Sequence, residues 1–142
     1  MLLITDIDHT ISDAAWRDRW MGEWDTYHAK SIDDQPIAEV VALVNSLAVN
    51  GWSVVGLTTR PEKWRQLTTS WLAKHQVLMH NLLMRPQDDY RPAAIIKVET
   101  IQTLYPNINS ALVLDDREDI VAAFRAVGIP ALQVHAGGNP CA

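Results

Sequence analysis

The sequence predicts an α/β protein built as a doubly wound parallel sheet, and three observations carry that expectation. Short apolar runs recur between stretches of helical period, each is bounded by turn or cap residues, and no repeat, linker or low-complexity block interrupts the series. Alternating strands and helices make a parallel sheet covered on both faces, because right-handed crossovers carry each strand back to the same sheet. At 142 residues and 48% hydrophobic, the chain is read as one domain, 1–142, with a single proper core.

The elements follow in order. Leu2 to Thr5 is short and wholly apolar until its last residue, as suits a strand buried on both faces. Pro36 opens a helical pattern in which Ile37, Val40, Val41, Val44 and Leu47 share a face, and Gly51 stands as its stop. Trp52 to Thr59 reads as the second strand. Arg60 to His75 reads as a helix with Pro61 near its start and Trp64, Leu67, Trp71 and Leu72 inward. A third strand is expected over Val77–Met84, and a helix from Arg91 is stopped by Pro106. Ser110–Asp116 is the fourth strand, Glu118–Gly128 the last helix, and Pro130–His135 the fifth strand before a Gly-Gly-Asn-Pro tail.

Composition excludes several classes. A formal net charge of −5 argues against a basic nucleic-acid scaffold or a membrane-surface binder, so phosphate contacts must come from a local arginine cluster. The lone Cys141 offers no disulfide framework within the chain. The first apolar stretch has no basic lead and is broken by Asp6 and Asp8, unlike a signal peptide. No run reaches the roughly 20 apolar residues of a membrane helix. A soluble, cytoplasmic domain is the expectation.

In open sheets of this kind ligands bind outside the carboxyl ends of the strands. Those ends carry Asp6 and Asp8 after the first strand, Thr58, Thr59 and Arg60 after the second, and Asp115 and Asp116 after the fourth; Lys97 lies in the preceding helix. A carboxylate can attack phosphorus to form an aspartyl-phosphate, splitting a hard hydrolysis into two easier steps. A second acid at i+2 leaves the strand on the same side and can trade protons with leaving group and water. Two further acids complete an oxygen cage of the kind Mg²⁺ prefers. A hydroxyl at Thr58 and an ammonium at Lys97 suit the oxygens of a transferring phosphoryl group.

Taken singly, each feature has a plainer reading. Asp-x-Asp and Asp-Asp are common turns and helix caps, and a lone Thr or Lys is ordinary surface. The joint pattern, in order and on these elements, favours a site. The order also argues against a receiver domain, in which the acidic pair comes first, followed by the phospho-accepting Asp, then Thr, then Lys.

The stretches "DIDHT" and "LTTR", Lys97, and "LVLDDREDIV" resemble the four motifs of the haloacid dehalogenase superfamily of phosphohydrolases. "DDQPIAEVVALVNSLAVNGWSVVGLTTRPE", "LMRPQDDYRPAAIIKVETI" and "ALVLDDREDIVAAFRAVGIPALQV" look closer still to the 3′-phosphatase domain of phage-type polynucleotide kinase/phosphatase, with no Walker-type loop beside them. The resemblance implies a Rossmann-like fold with a free-standing phosphatase activity. It makes Asp6 the nucleophile and a Mg²⁺ ligand, and Asp8 the acid/base with its backbone carbonyl on the metal. Thr58 and Lys97 would hold phosphoryl oxygens, and Asp115 would bind Mg²⁺, supported by Asp116 or, as an open alternative, Asp119. Arg60, Arg85 and Arg91, with Thr59, suit a phosphate-rich substrate, although each arginine alone could equally be a helix-end salt bridge.

Two places depart from the pattern or leave it open. His9 stands where most relatives carry Gly; it keeps the Asp-x-Asp geometry if its backbone angles are ordinary, and is read as a tolerated loop residue, with a second proton shuttle or a base-stacking group as the alternative. The insert at about 13–34 reads as a small helical cap with Trp16, Trp20 and Trp24 at i, i+4, i+8. That stripe either docks the cap on the body or offers an aromatic platform to a nucleobase. Together these residues imply a Mg²⁺-dependent phosphomonoesterase acting on a nucleic-acid 3′-phosphate. A phosphatase of free nucleotides or other small phosphoesters is the alternative. A non-catalytic binding module is disfavoured, because every catalytic position is filled.

Overall fold

The computed structural model describes residues 1–135; the expected tail and Cys141 lie outside them. Along the chain run β1 (Leu2–Thr5), β2 (Ser12–Asp13), a 3-10 turn (Ala15–Trp20), α1 (Trp24–Ala29), a second 3-10 turn (Lys30–Asp33) and β3 (Gln35–Pro36). Then come α2 (Ala38–Val49), β4 (Ser53–Pro61), a third 3-10 turn (Glu62–Trp64), α3 (Arg65–Lys74), β5 (Asn81–Arg85), α4 (Ala93–Leu104), β6 (Ala111–Asp115), α5 (Glu118–Ala126) and β7 (Ala131–Gln133).

Five strands form one parallel sheet in the order β5-β4-β1-β6-β7. The first strand of the chain is thus its centre. Both of its edges are paired, Leu2 to Thr5 against Ser53 to Gly56 on one side and Ala111 to Leu114 on the other. Adjacent residues serve opposite faces. Leu3 packs with Val41, Val44, Val54 and Trp71 under α2 and α3, while Ile4 packs with Ile101, Val113, Ile120 and Phe124 under α4 and α5. Burial of such side chains contributes roughly 1.5–3 kcal/mol each. This is the expected doubly wound sheet. Its chain reversal falls between β1 and β6, which opens a crevice at their carboxyl ends.

Gly51 and Gly128 end α2 and α5 with φ of +91° and +82°, the left-handed backbone that suits glycine. Other boundaries move for identifiable reasons. The helix expected from Pro36 starts at Ala38, because Pro36 pairs with Ser12 in the β2–β3 ribbon. The third strand begins at Asn81, not Val77. The Val77 and Leu78 amides are already taken by the Leu72 carbonyl and the Asn45 side chain, and His80 makes the first bond to Val54. The second strand runs on through Arg60 to Pro61, since a residue before proline avoids the helical region. Its register against β5 shifts between Leu57 and Pro61, so Thr58, Thr59 and Arg60 lie on an irregular strand end.

The ribbon of β2 and β3 brackets the segment expected as a cap. No continuous helix carries its three tryptophans. Gly22, at φ +95°, separates the 3-10 turn holding Trp16 and Trp20 from α1, which begins at Trp24. Within α3, Thr68 rather than Leu67 is the fully buried partner of Trp71 and Leu72.

Candidate active site

The crevice receives its acids because the chain turns sharply after β1. Asp6 extends the ladder by donating its amide to Leu114 O (2.9 Å). Ile7 then buries its side chain, while its carbonyl accepts the amides of Thr10, Ile11 and Ser12 at 3.0–3.2 Å. With Ile7 turned into the core, Asp6 and Asp8 face outward together.

Asp6, from β1, meets Asp115, from the end of the neighbouring β6, and Lys97, from α4. The Lys97 ammonium lies 3.0 Å from Asp6 Oδ1 and 2.6 Å from Asp115 Oδ2, and all three residues are buried. Asp116 joins them, so that one carboxylate oxygen from each of Asp6, Asp115 and Asp116 lies within 4.8 Å of the others. Burial pushes Asp6 well above the usual carboxylate range. Lys97 opposes this, while Asp115, Asp8 and Asp116 add to it. Asp116 is raised by burial and then by Asp115. Burial alone would lower Lys97, but attraction to Asp6 and Asp115 raises it. Three close acids against one lysine leave an excess of negative charge built from hard oxygen donors, a set that could hold a divalent metal ion. Asp119 stands outside this cluster, its carboxylate accepting Arg117 Nε and Nη2 at 3.0 and 2.7 Å.

Asp8 is handled differently. Its carboxylate accepts Arg60 Nε (3.0 Å) and Nη2 (2.7 Å), and Arg17 Nη2 donates to the same Oδ1. Burial would raise Asp8, but the charge and hydrogen bonds of Arg60, joined by Arg17, hold it well below the usual carboxylate range. Both arginines are buried. Arg60 also donates to Thr68 Oγ1 (3.0 Å), and Thr58 Oγ1 accepts the Arg60 amide (3.2 Å).

Two residues of this arrangement were not singled out by the motifs. Arg17 sits in the first 3-10 turn, donates Nε and Nη2 to Asp34 at 2.9 and 2.8 Å, and lies over the Tyr27 ring at 4.3 Å. Asp34, which the sequence offers only as an edge of the insert, also accepts Trp16 Nε1 (2.9 Å), and its carbonyl accepts Trp71 Nε1 (2.9 Å). A charged residue among the tryptophans of the insert is the one signal available for Arg17. Nothing in the sequence marks Asp34.

Of the remaining substrate candidates, Thr59 lines the cleft beside Asp6 and Asp8. Arg85 uses its guanidinium on backbone carbonyls, those of Thr59 (3.1 Å), Asp89 (2.8 Å) and Arg91 (2.9 Å), and so pins the loop after β5. Arg91 is paired with Asp89 and, at 2.7 Å, with Glu99 on the half-open rim. The structure therefore gathers Asp6, Asp8, Thr58, Arg60, Lys97, Asp115 and Asp116 at the strand ends, and sets Arg85 and Arg91 on the wall. His9 does not meet the condition of ordinary backbone angles. Its φ is +61°, the left-handed region that glycine occupies freely, and its Nε2 lies 3.2 Å from Asp18 Oδ1.

A cleft of about 740 Å³ opens over Asp6, Asp8 and Lys97, between the insert and the loop after β5. A buried strand-end aspartate, a neighbouring acid, a lysine and a metal-competent acid cluster on a Rossmann-like sheet are the arrangement of a phosphatase of the haloacid dehalogenase type. The chain belongs to the family described as the polynucleotide kinase PNKP phosphatase domain, which it matches over residues 1–138.

Solved structures agree. A chain of the Pnkp1/Rnl/Hen1 complex is 29% identical with a TM-score of 0.80, over 97% of this chain and 47% of that one. A chain of the Pnkp1/Rnl/Hen1 RNA repair complex has the same identity and TM-score, with 43% of that chain covered. The present chain thus spans somewhat under half the length of these relatives. A predicted phosphatase from Clostridium acetobutylicum, 16% identical with a TM-score of 0.69 over 96% of this chain and 85% of that one, shares the fold. No curated protein matches the sequence. No helix among the described residues is long and apolar enough to cross a membrane.

Proposed function

We propose that this chain is a Mg²⁺-dependent phosphomonoesterase that removes 3′-phosphates from nucleic-acid ends through an aspartyl-phosphate. The observation that carries the reading is the placement of Asp6, buried at a strand end, 3.0 Å from the Lys97 ammonium and grouped with Asp115 and Asp116. Membership of the PNKP phosphatase-domain family and the likeness to chains of an RNA repair complex support the substrate class.

In the first step an Asp6 carboxylate oxygen attacks phosphorus, the bond from phosphorus to the 3′ oxygen breaks, and Asp8 gives that oxygen its proton. In the second, Asp8 takes a proton from water, whose oxygen attacks phosphorus; the bond to Asp6 breaks and inorganic phosphate leaves. Arg60 and Arg17 favour the ionised Asp8 that the second step needs. The first step needs the acid, so a bound phosphoryl group must draw part of the arginine charge to itself. Thr58 and Lys97 hold phosphoryl oxygens in this scheme, and Lys97 offsets repulsion between Asp6 and an anionic substrate.

The carboxylates of Asp6, Asp115 and Asp116 would hold the metal, together with the Asp8 carbonyl. Their hard oxygens and surplus negative charge fit Mg²⁺. When bound, Mg²⁺ supplies positive charge that favours phosphoryl transfer between anionic groups.

The deciding experiment is phosphate release, with Mg²⁺ or EDTA, from a 3′-phosphorylated oligonucleotide, its 5′-phosphorylated twin, and free 3′- and 5′-nucleotides, with Asp6→Asn as control. Metal-dependent release chiefly from the 3′-phosphorylated oligonucleotide supports the reading. Preference for free nucleotides would favour the second reading, nucleotide phosphatase, which the net charge of −5 supports because phosphate contacts dominate polynucleotide affinity. No release from any of them would sink the substrate class.

A further inference from the structure

The cleft has an aromatic architecture that phosphoryl transfer does not use. Trp24, the first residue of α1, is 53% exposed and lines the cleft. It stacks on His28 (centroids 6.2 Å, 29° between planes), which in turn lies against Trp64 of the body (6.2 Å, 39°). Tyr27 braces Trp24 edge-on at 5.5 Å. His28 is buried, and its Nδ1 has no partner among the described residues. Burial also lowers its pKa to about 4, so the middle ring is neutral near pH 7. A column of rings therefore runs from the body to Trp24, at the wall of the cleft.

The loop after β5 carries Tyr90, 86% exposed and lining the same cleft. A tyrosine left so open gains nothing from packing, yet its loop is not left loose. Arg85 fastens the backbone on either side of Tyr90, through Asp89 O and Arg91 O. Fastening the backbone that carries an exposed aromatic ring, in the same cleft as the end of a ring column, lowers the ordering cost of stacking something flat there. Trp16 and Trp20 do not line the cleft. They pack edge to face at 5.8 Å, with Trp16 bonded to Asp34 and the Lys30 ammonium 4.3 Å from the Trp20 ring. The tryptophans of the insert thus divide into two that serve its packing and one that lines the cleft.

Building on the 3′-phosphatase reading, we propose that Trp24 and Tyr90 form a stacking subsite for the nucleobase of the terminal nucleoside, the one that bears the phosphate. The subsite reads a π face and not a hydrogen-bonding edge, so it accepts any of the four bases. It also supplies affinity on a chain whose acidic balance is poorly suited to tracking a phosphate backbone.

The test compares kcat/KM for two 3′-phosphorylated oligonucleotides, one with a normal terminal nucleoside and one whose terminal sugar lacks its base, with p-nitrophenyl phosphate as a small reference. Stacking on aromatic side chains predicts that wild type prefers the base-bearing end by about 5- to 100-fold. Trp24→Ala and Tyr90→Ala each bring that preference below about twofold, and Trp24→Phe keeps most of it. Tyr90→Ala decides the matter if Trp24→Ala fails to fold. Equal hydrolysis of both ends by wild type would overturn the subsite and leave the 3′-phosphatase reading standing. A preference that survives in the alanine variants would assign base reading to other residues and overturn it too. Hydrolysis of p-nitrophenyl phosphate with neither oligonucleotide cleaved would sink both.

Discussion

Arg60 and Asp8 stand 52 residues apart in the chain and are joined by two hydrogen bonds, Nε to Oδ2 at 3.0 Å and Nη2 to Oδ1 at 2.7 Å. One side chain comes from the irregular end of β4, the other from the loop after β1, and the pairing of those two strands brings them together. The bond pair fixes the Asp8 carboxylate in orientation as well as in charge.

That geometry makes Arg60→Lys a severe change despite the conserved charge. A lysine offers a point charge where the fork makes two bonds, and it cannot also reach Thr68. The expected outcome is a folded protein whose kcat falls about 10- to 100-fold, with the kcat–pH profile displaced because Asp8 loses part of what lowers its pKa. Wild-type kcat with an unmoved profile would show that the fork has no part in turnover.

The Arg17–Asp34 pair is buried on both sides. Removing Arg17 leaves Asp34 with no close ionic partner, only the Arg60 guanidinium 3.8 Å from Oδ2, at a cost of roughly 3–5 kcal/mol. Arg17→Ala should lower the urea midpoint accordingly and leave Asp34 facing Trp16 alone at Oδ1. A loss below about 1 kcal/mol would mean that water reaches the site and relieves the charge.

Asp116, not Asp119, shares the acidic cluster with Asp6 and Asp115. Asp116→Asn should raise the Mg²⁺ concentration for half-maximal activity about 10- to 100-fold, the range usual for residues that support a metal site. Asp119→Asn should change it less than twofold. Thermal unfolding with and without MgCl₂ gives a second readout, since binding to the folded state alone raises the midpoint. The reverse ranking would move the metal support to α5.

His28 predicts a pH dependence of stability. Its folded pKa is pushed from 6.5 down to about 4 by burial, so between those values the unfolded chain binds more protons. Its contribution is complete above about pH 6.5 and is lost as pH falls toward 4, on the order of 3 kcal/mol in all. Raised carboxyls such as Asp6 act in the opposite sense, so the difference between wild type and His28→Gln isolates the histidine. The variant should lose less stability between pH 7 and pH 5 in urea unfolding. Parallel curves would place the imidazole in water.

At position 9 the left-handed backbone sets the preference. His9→Val, branched at Cβ, should be less stable than His9→Gly by roughly 1–3 kcal/mol, measured by thermal or urea unfolding. Equal stability would mean that the loop relaxes to an ordinary φ.

Much of the fold was legible because its signals are local. The apolar run of β1, the helical periods of α2 and α4, and the stops at Gly51 and Gly128 each depend on residues within a turn or two of one another. The order of Asp6, Asp8, Thr58, Lys97 and Asp115 was legible for a related reason. Parallel strands place all their carboxyl ends at one edge, so residue type and strand position suffice to predict that they meet.

What failed locally was decided by distant partners. The third strand starts late because α2, through Asn45, takes the Leu78 amide, and β4 runs long because Pro61 is paired beside Arg85 of β5. Arg85, expected to suit a phosphate-rich substrate, lines the cleft but gives its Nε and Nη1 to three carbonyls, those of Thr59, Asp89 and Arg91, which residue spacing does not show.

The sequence by itself therefore determined the doubly wound sheet and the set of groups at its edge, since period, caps and strand ends are written in neighbouring residues. Only the tertiary structure decided that Arg17 and Arg60 share Asp8, that Asp34 backs Arg17, and that Trp24 and Tyr90 line one cleft. Hydrogen-bond direction and ring facing depend on where separate segments come to rest, and residue spacing carries no record of that.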